Sequence, residues 1–116
     1  MIDGQHPFKY FESRRQQMVD LISELVDIES PSFDSAASRR VADRIEALAL
    51  AVHSDAEIDR VSTEQGDHLL VRCFAGDGPR TLLLGHTDTV HPVGTREKNP
   101  TRVDGARLYG CGVFDM

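Results

Sequence analysis

The chain has 116 residues, enough for one modest domain, and its 40% hydrophobic and 28% charged residues make an ordinary globular composition. A formal net charge of -6 argues against nucleic acid as a partner, because phosphate binding needs clustered lysine and arginine. No apolar stretch has membrane-spanning length, the N-terminus lacks a signal-peptide pattern and the two cysteines are isolated. We therefore expect a cytoplasmic protein with no membrane partner.

The first half of the chain predicts two helices. Residues 1–12 are predicted to be a loose lead-in. Apolar residues at three- and four-residue spacing predict an amphipathic helix over residues 14–29, which ends there because Pro31 disfavours helical backbone in the residue before it. Residues 32–35 supply capping side chains for a second helix over residues 36–51. The residues of that helix expected to face inward are Val41, Ile45, Leu48 and Ala49.

Short apolar segments bounded by turn residues then predict strands. The first two cover residues 56–61 and 69–74, and a Gly/Pro loop after the second predicts a hairpin with residues 81–84. The leucines of residues 81–84 predict a strand that is central in the sheet. Residues 90–100 are predicted to be a loop, and residues 102–109 a small β-ribbon.

This order of elements predicts the α/β class. Two helices followed by a mixed β-sheet match the first portion of an α/β sandwich. A sheet of only three or four strands would leave one face uncovered and one edge exposed. We therefore expect the fold to be incomplete.

The first candidate site follows the predicted central strand directly. His86 and Asp88 are two positions apart, so continued strand geometry would place both side chains on one side. An imidazole binds zinc through one ring nitrogen, and a carboxylate either binds the metal or orients another ligand. The spacing alone is weakly specific, because His-x-Asp occurs by chance in many chains.

The second candidate site is Asp115, the last residue of a glycine-containing turn over residues 110–115. The two glycines of that turn have a simpler interpretation, because they could merely permit positive φ angles while Asp115 caps the next element of the chain. The pattern is not a dinucleotide-binding fingerprint, since the third glycine is missing. His91 is interpreted as a loop residue, and Cys111 as a packing residue rather than a ligand.

In combination, these motifs resemble those of a known family. Residues 82–90 and 108–116, with Asn99-Pro100 between them, resemble the metal-site motifs of the co-catalytic di-zinc peptidases and deacylases. That family includes glutamate carboxypeptidase, acetylornithine deacetylase, succinyl-diaminopimelate desuccinylase and aminoacylase. The Val-Phe-Asp-Met ending and the Thr-Val-x-Pro-x-Gly stretch at residues 89–94 are most similar to the glutamate carboxypeptidase branch. The segment Ile28-Glu29-Ser30-Pro31-Ser32 also suits the family, and the resemblance covers residues 15–116.

The resemblance implies a role for each site residue. His86 would bind one zinc ion, and Asp88 would be the active-site carboxylate that orients His86. Asp115 would bridge two zinc ions, with a cis peptide bond to Met116. Cobalt or manganese would be possible in place of zinc. The family usually has proline or arginine at the position of Cys111, a mild departure.

The resemblance also implies a function. Residues 13–116 would be the N-terminal portion of the catalytic domain of a zinc-dependent exopeptidase or amidohydrolase. Its substrate would be a small peptide or N-acyl amino acid, cleaved at an amide bond next to a free carboxylate, and the intact enzyme would be a homodimer. The family's general base, other ligands and dimerisation domain come after its bridging aspartate, so we expect this chain alone to be inactive.

Two alternatives to this carboxypeptidase-like function remain open. One is an N-acyl amino acid deacetylase of the same family. The other is a non-catalytic remnant or binding module.

Overall fold

The computed structural model describes residues 6–115, which form four helices and four strands. In chain order the elements are α1 (Pro7–Ser13), α2 (Arg15–Val26), α3 (Ser35–Val52), β1 (Glu57–Thr63), β2 (Gly66–Arg72), α4 (Thr95–Lys98), β3 (Arg102–Asp104) and β4 (Arg107–Tyr109). Within this described part of the chain, no helix is long and apolar enough to cross a membrane. The mixture of helices and strands confirms the predicted α/β class.

Residues 7–12 of the predicted lead-in belong to a short helix, α1. Pro7 stands in its first turn, where the missing N–H costs nothing, and the backbone N–H of Phe8 donates to Nδ1 of His6 at 3.3 Å. No residue of α1 is buried, so local signals rather than packing define it. Residues 1–5 of the predicted lead-in lie outside the described residues.

The two longer helices confirm the predictions from apolar periodicity. Helix α2 ends at Val26, three residues before the predicted end at residue 29. Helix α3 begins after Asp34, whose carboxylate accepts the backbone N–H of Ala37 at 2.9 Å as an N-cap. Of the four residues predicted to face inward, Val41 is 3% exposed, and Ile45, Leu48 and Ala49 are half-buried.

The strands β1 and β2 form an antiparallel hairpin that packs on α3. Thr63 pairs with Gly66 beside the turn, and Glu57 pairs with Arg72 at the far end. The small core beneath it includes Ala37, Val41 and Ala42 of α3. The prediction joined the second strand to residues 81–84 instead. That pairing is wrong, because β2 pairs only with β1 among the described residues and residues 81–84 form no ladder with it.

Charged side chains fasten this hairpin to α3. Arg60 of β1 donates from Nε to Asp67 at 2.5 Å and from Nη1 to Asp43 of α3 at 2.6 Å. The Asp67 side chain is 4% exposed, and Arg39 of α3 lies 3.3 Å from its other oxygen. Burial opposes ionisation of Asp67, yet the hydrogen bond from Arg60 holds the pKa of that carboxyl below its ordinary value. The hairpin and α3 therefore form one structural unit.

The segment 81–84 is not the predicted central strand. Leu82 is 74% exposed, and Leu83 and Leu84 are each 91% exposed. A central strand needs hydrogen-bonding neighbours on both sides, and none of residues 6–115 pairs with this segment. In place of the predicted mixed sheet, the strands of residues 6–115 form two antiparallel pairs, β1–β2 and β3–β4.

The C-terminal third contains the predicted ribbon and one unexpected helical turn. The β3–β4 pair turns at Gly105, whose φ of +58° suits a residue without a side chain. The loop predicted over residues 90–100 contains α4, a helix of only four residues.

Candidate metal centre

The backbone of the candidate metal motif is held by the segment that follows α2. Thr89 donates its N–H to the carbonyl of Ser30 at 2.8 Å, and Ser32 donates its N–H to the carbonyl of Thr89 at 2.9 Å. These bonds make a short parallel bridge between Pro31 and Thr89. The hydroxyl of Ser30 also donates to the carbonyl of Thr87 at 2.6 Å. The motif is therefore fixed by a distant part of the chain.

His86 and Asp88 lie in direct contact. The Nδ1 atom of His86 is 3.2 Å from Oδ1 of Asp88 and 3.1 Å from its backbone carbonyl oxygen. Both partners are hydrogen-bond acceptors, so Nδ1 must carry the ring proton. The other ring nitrogen, Nε2, then has a free lone pair, which is the form of imidazole that binds a metal ion.

Asp88 is held by a second hydrogen bond. The hydroxyl of Ser32 donates to Oδ2 of Asp88 at 2.6 Å, opposite the side that faces His86. This bond lowers the pKa of the Asp88 carboxyl; partial burial opposes the shift and the contact with His86 adds to it. Asp88 is therefore ionised at neutral pH and accepts from both neighbours.

Asp115 faces the same cavity as the pair but does not complete a ligand set. The cavity has a volume of about 780 Å³, and its lining includes His86, Asp88, His91, Cys111 and Asp115. Among residues 6–115, no three His, Cys, Asp or Glu side chains lie close enough together to hold a metal ion. The imidazole and carboxylate donors fit part of a zinc site, which normally has three or more protein ligands. The cis bond predicted between Asp115 and Met116 lies outside the described residues.

The two glycines of the C-terminal turn allow close approach. Gly112 has a φ of +80°, and a Cβ atom there would lie 2.8 Å from Cγ2 of Thr89. A Cβ atom on Gly110 would lie 2.8 Å from Cγ1 of Val26. The positive φ of Gly112 agrees with the interpretation that the glycines of this turn serve to permit positive φ angles. The same turn packs against the bridge that supports His86.

The remaining cysteine and histidine of this region, Cys111 and His91, also line the cavity. Cys111 is 8% exposed, with its Sγ atom 3.9 Å from Nδ2 of Asn99. This burial agrees with its interpretation as a packing residue. His91 is half-buried in the loop before α4.

Glu29 and Asp27 anchor the loop beside the site. The carboxylate of Glu29 accepts the backbone N–H of Gly94 at 3.0 Å and that of Arg96 at 2.9 Å. Asp27 accepts the Thr101 hydroxyl at 2.6 Å. Sequence reasoning assigned neither residue a role, because their partners lie 65 to 74 positions away and no local period marks them. Glu29 stood out only as part of the family resemblance.

The hydrogen bonds to Glu29 predict a pH-dependent contribution to stability. The bond from Gly94, followed by that from Arg96, lowers the pKa of Glu29 in the folded chain. Its contribution is therefore full above the unfolded pKa and is lost as pH falls through the lower folded value. Glu29→Gln should destabilise the chain at pH 7, and the difference from wild type should shrink in acid, as measured by urea unfolding at several pH values. Glu57→Gln, an exposed control on β1, should show no such trend, and a difference for Glu29→Gln that is constant with pH would contradict the prediction.

Comparison with known proteins gives the class and then the family. No family model matches the chain. A Mycobacterium tuberculosis protein named as a succinyl-diaminopimelate desuccinylase is 37% identical over 102 residues, which cover 88% of this chain and 26% of that protein. The succinyl-diaminopimelate desuccinylase of Corynebacterium glutamicum is 37% identical over 97 residues, 83% of this chain and 24% of its own length. Carboxypeptidase G2 of a Pseudomonas species is 38% identical over 50 residues, which cover 43% of this chain and 12% of that protein.

These relatives are hydrolases by name. The chain belongs to the metallopeptidase and deacylase family that its motifs resemble, and it matches the N-terminal part of its relatives. It spans about a quarter of the length of the desuccinylases it matches.

Proposed function

We propose that this chain supplies part of the active site of a metal-dependent amidohydrolase that cleaves an amide bond next to a free carboxylate. The observation that carries the proposal is the contact between Nδ1 of His86 and Asp88, at 3.2 Å, which leaves Nε2 available. The names of the relatives, desuccinylase and carboxypeptidase, support amide hydrolysis of small acidic substrates. Cleavage of a C-terminal residue and removal of an N-acyl group are both chemistries of this kind.

Each site residue has a proposed role in that chemistry. Nε2 of His86 binds one metal ion, and Asp88 holds the imidazole in the correct tautomer and orientation. The Asp115 carboxylate, on the same cavity, is the proposed bridge to a second ion. When bound, zinc, or cobalt or manganese in its place, would polarise the substrate carbonyl and acidify a bound water molecule.

The proposal extends to the whole protein. We propose that the 116-residue chain is inactive alone, since the described residues do not bring three metal ligands together. We also propose that the intact enzyme is a homodimer and that it acts in the cytoplasm. The free state of Cys73 and Cys111 is compatible with a reducing compartment.

Deacylation is the second candidate reaction, and the comparisons supply a reason to test it. Two matches to desuccinylases cover 88% and 83% of this chain, whereas the match to carboxypeptidase G2 covers 43% of it. A desuccinylase removes an N-acyl group, and a carboxypeptidase removes a C-terminal residue. N-succinyl and N-acetyl amino acids should therefore be assayed beside peptides that end in glutamate.

His86→Ala should weaken zinc binding by the native protein at least tenfold, because it removes the imidazole of the proposed ligands and leaves only Asp115 from this chain. Competition with a chromophoric chelator at neutral pH measures the change. His53→Ala is the control, since His53 lies at the end of α3 and does not line the cavity. Equal zinc affinity for His86→Ala and wild type would contradict the proposed metal role.

Activity should be measured on the protein as its source produces it, alongside the 116-residue chain. The proposal expects metal-dependent hydrolysis by the native protein, no activity of the isolated chain, and a native mass above 12.9 kDa. A native mass of 12.9 kDa without hydrolysis would favour the non-catalytic binding module instead.

A further inference from the structure

Ser32 touches the candidate metal motif through both its backbone and its side chain. Its N–H donates to the carbonyl of Thr89 at 2.9 Å, which fixes the position of the residue relative to the motif. Its hydroxyl lies 2.6 Å from Oδ2 of Asp88 and 3.2 Å from the Thr89 carbonyl oxygen. The side chain therefore reaches Asp88 from a backbone that the parallel bridge already holds in place.

The hydrogen bond from Ser32 restricts a carboxylate that would otherwise rotate. The side chain of Asp88 is 54% exposed, so water could satisfy its oxygens in several orientations. With Oδ2 bound to the Ser32 hydroxyl, Oδ1 faces Nδ1 of His86 at 3.2 Å. This orientation supplies one of the two acceptors that keep the ring proton on Nδ1 of His86, the other being the Asp88 backbone carbonyl oxygen at 3.1 Å.

We infer that Ser32 is a positioning residue for the His86–Asp88 pair, acting on the imidazole through the carboxylate. The inference rests on the proposed function insofar as Nε2 of His86 serves a metal ion. The hydroxyl selects one orientation of Asp88, and Asp88 selects the His86 tautomer with a free Nε2. The effect of Ser32 on the tautomer exists without metal and can be measured in its absence.

Ser30 provides a matched control on the same segment. Its hydroxyl also donates at 2.6 Å, but to the backbone carbonyl of Thr87, and the residue is 4% exposed. Loss of this hydroxyl would disturb the support of the backbone without removing a bond to Asp88. A purely structural role for Ser32 would therefore give Ser32→Ala and Ser30→Ala the same effect on His86.

The test is the ¹⁵N chemical shifts of the His86 ring in the metal-free chain, at about pH 8.5, where imidazole is ordinarily neutral. Wild type, Ser30→Ala and Ser32→Thr should have the proton on Nδ1, since each keeps a hydroxyl near Asp88. Ser32→Ala should show a measurable partial shift toward the other tautomer, because the Asp88 backbone carbonyl oxygen still accepts from Nδ1. Ser32→Cys keeps the shape of the side chain but has a weaker hydrogen-bond donor. If the alanine variant does not fold, the cysteine variant should show the shift toward the other tautomer instead.

Zinc affinity gives a second readout. Ser32→Ala should weaken binding about threefold, the usual consequence of losing one hydrogen bond, and Ser32→Thr should restore it. An unchanged tautomer in both Ser32→Ala and Ser32→Cys would overturn the inference, as would an equal change in Ser30→Ala.

The proposed function can fail independently of this inference. The zinc titration of His86→Ala tests the metal role alone. If zinc affinity does not depend on His86 while Ser32→Ala still shifts the tautomer, the metal role fails and the positioning role of Ser32 is supported.

Discussion

Gly66→Ala is expected to lower the free energy of unfolding by about 3 kcal/mol, combining the costs of a disallowed backbone angle and a core overlap. Gly66 begins β2 with a φ of +145°, a conformation that residues with a side chain rarely adopt. A Cβ atom there would lie 2.3 Å from Oγ and 2.6 Å from Cβ of Ser38 on α3. The added methyl group would push the hairpin away from the helix on which it packs.

Thermal and urea unfolding measure the effect of Gly66→Ala, and a loss of this size should lower the melting temperature by roughly 10 °C. Gly76→Ala is the control, because a Cβ atom at Gly76 would meet no atom within 4 Å. Adding Ser38→Gly to Gly66→Ala should recover part of the loss by removing both overlapping atoms. Equal stability of Gly66→Ala and Gly76→Ala would show that the hairpin does not pack on α3 as described.

Gly112→Ala is expected to cost about 2 kcal/mol and also to disturb the candidate site. Gly112 has a φ of +80°, and its Cβ atom would lie 2.8 Å from Cγ2 of Thr89. Thr89 is the centre of the bridge to Ser30 and Ser32, so displacing it should loosen the contact between Ser32 and Asp88. We therefore expect a loss of stability together with a weaker zinc affinity.

Gly105→Ala separates the two effects of Gly112→Ala. Gly105 has a φ of +58°, but a Cβ atom there would meet no atom within 4 Å. This control should lose some stability through backbone strain while its zinc affinity stays at the wild-type value. If both variants change zinc affinity equally, the contact between Gly112 and Thr89 does not support the site.

The hydrogen bonds that support the candidate site come from a segment far from it in the sequence. The segment 27–32, between α2 and α3, binds the motif through Ser30 and Ser32 and binds the neighbouring loop through Glu29. In this structure the segment 81–84 before His86 has no backbone partner among the described residues. The geometry of His86 and Asp88 therefore depends on the loop between the helices rather than on a preceding strand.

The local sequence was sufficient to predict the elements that depend mainly on contacts between residues close together in the chain. Helix α3 follows from apolar residues at helical spacing and from the capping carboxylate of Asp34. The β3–β4 ribbon follows from a short turn at Gly105 between two short strands. The contact between His86 and Asp88 is local as well, since two positions separate them and the reach of their side chains suffices.

The sequence alone also indicated the family through the motif around His86 and the turn ending in Asp115, and the similarity to known desuccinylases confirms the family. Those motifs could not reveal how the site is supported. The hydroxyl of Ser32 was expected to help cap α3, yet it binds Asp88, 56 positions away. Hydrogen bonds over such distances leave no periodic pattern in the sequence.

Only the tertiary structure decided the partners of the strands and of the segment 27–32. The leucines of residues 81–84 are apolar enough for a central strand, but a strand exists only where another backbone supplies its hydrogen bonds. Glu29 similarly has no role until Gly94 and Arg96 present their N–H groups to it. Composition and spacing fix what each segment can form by itself, whereas pairing between distant segments depends on their arrangement in the fold.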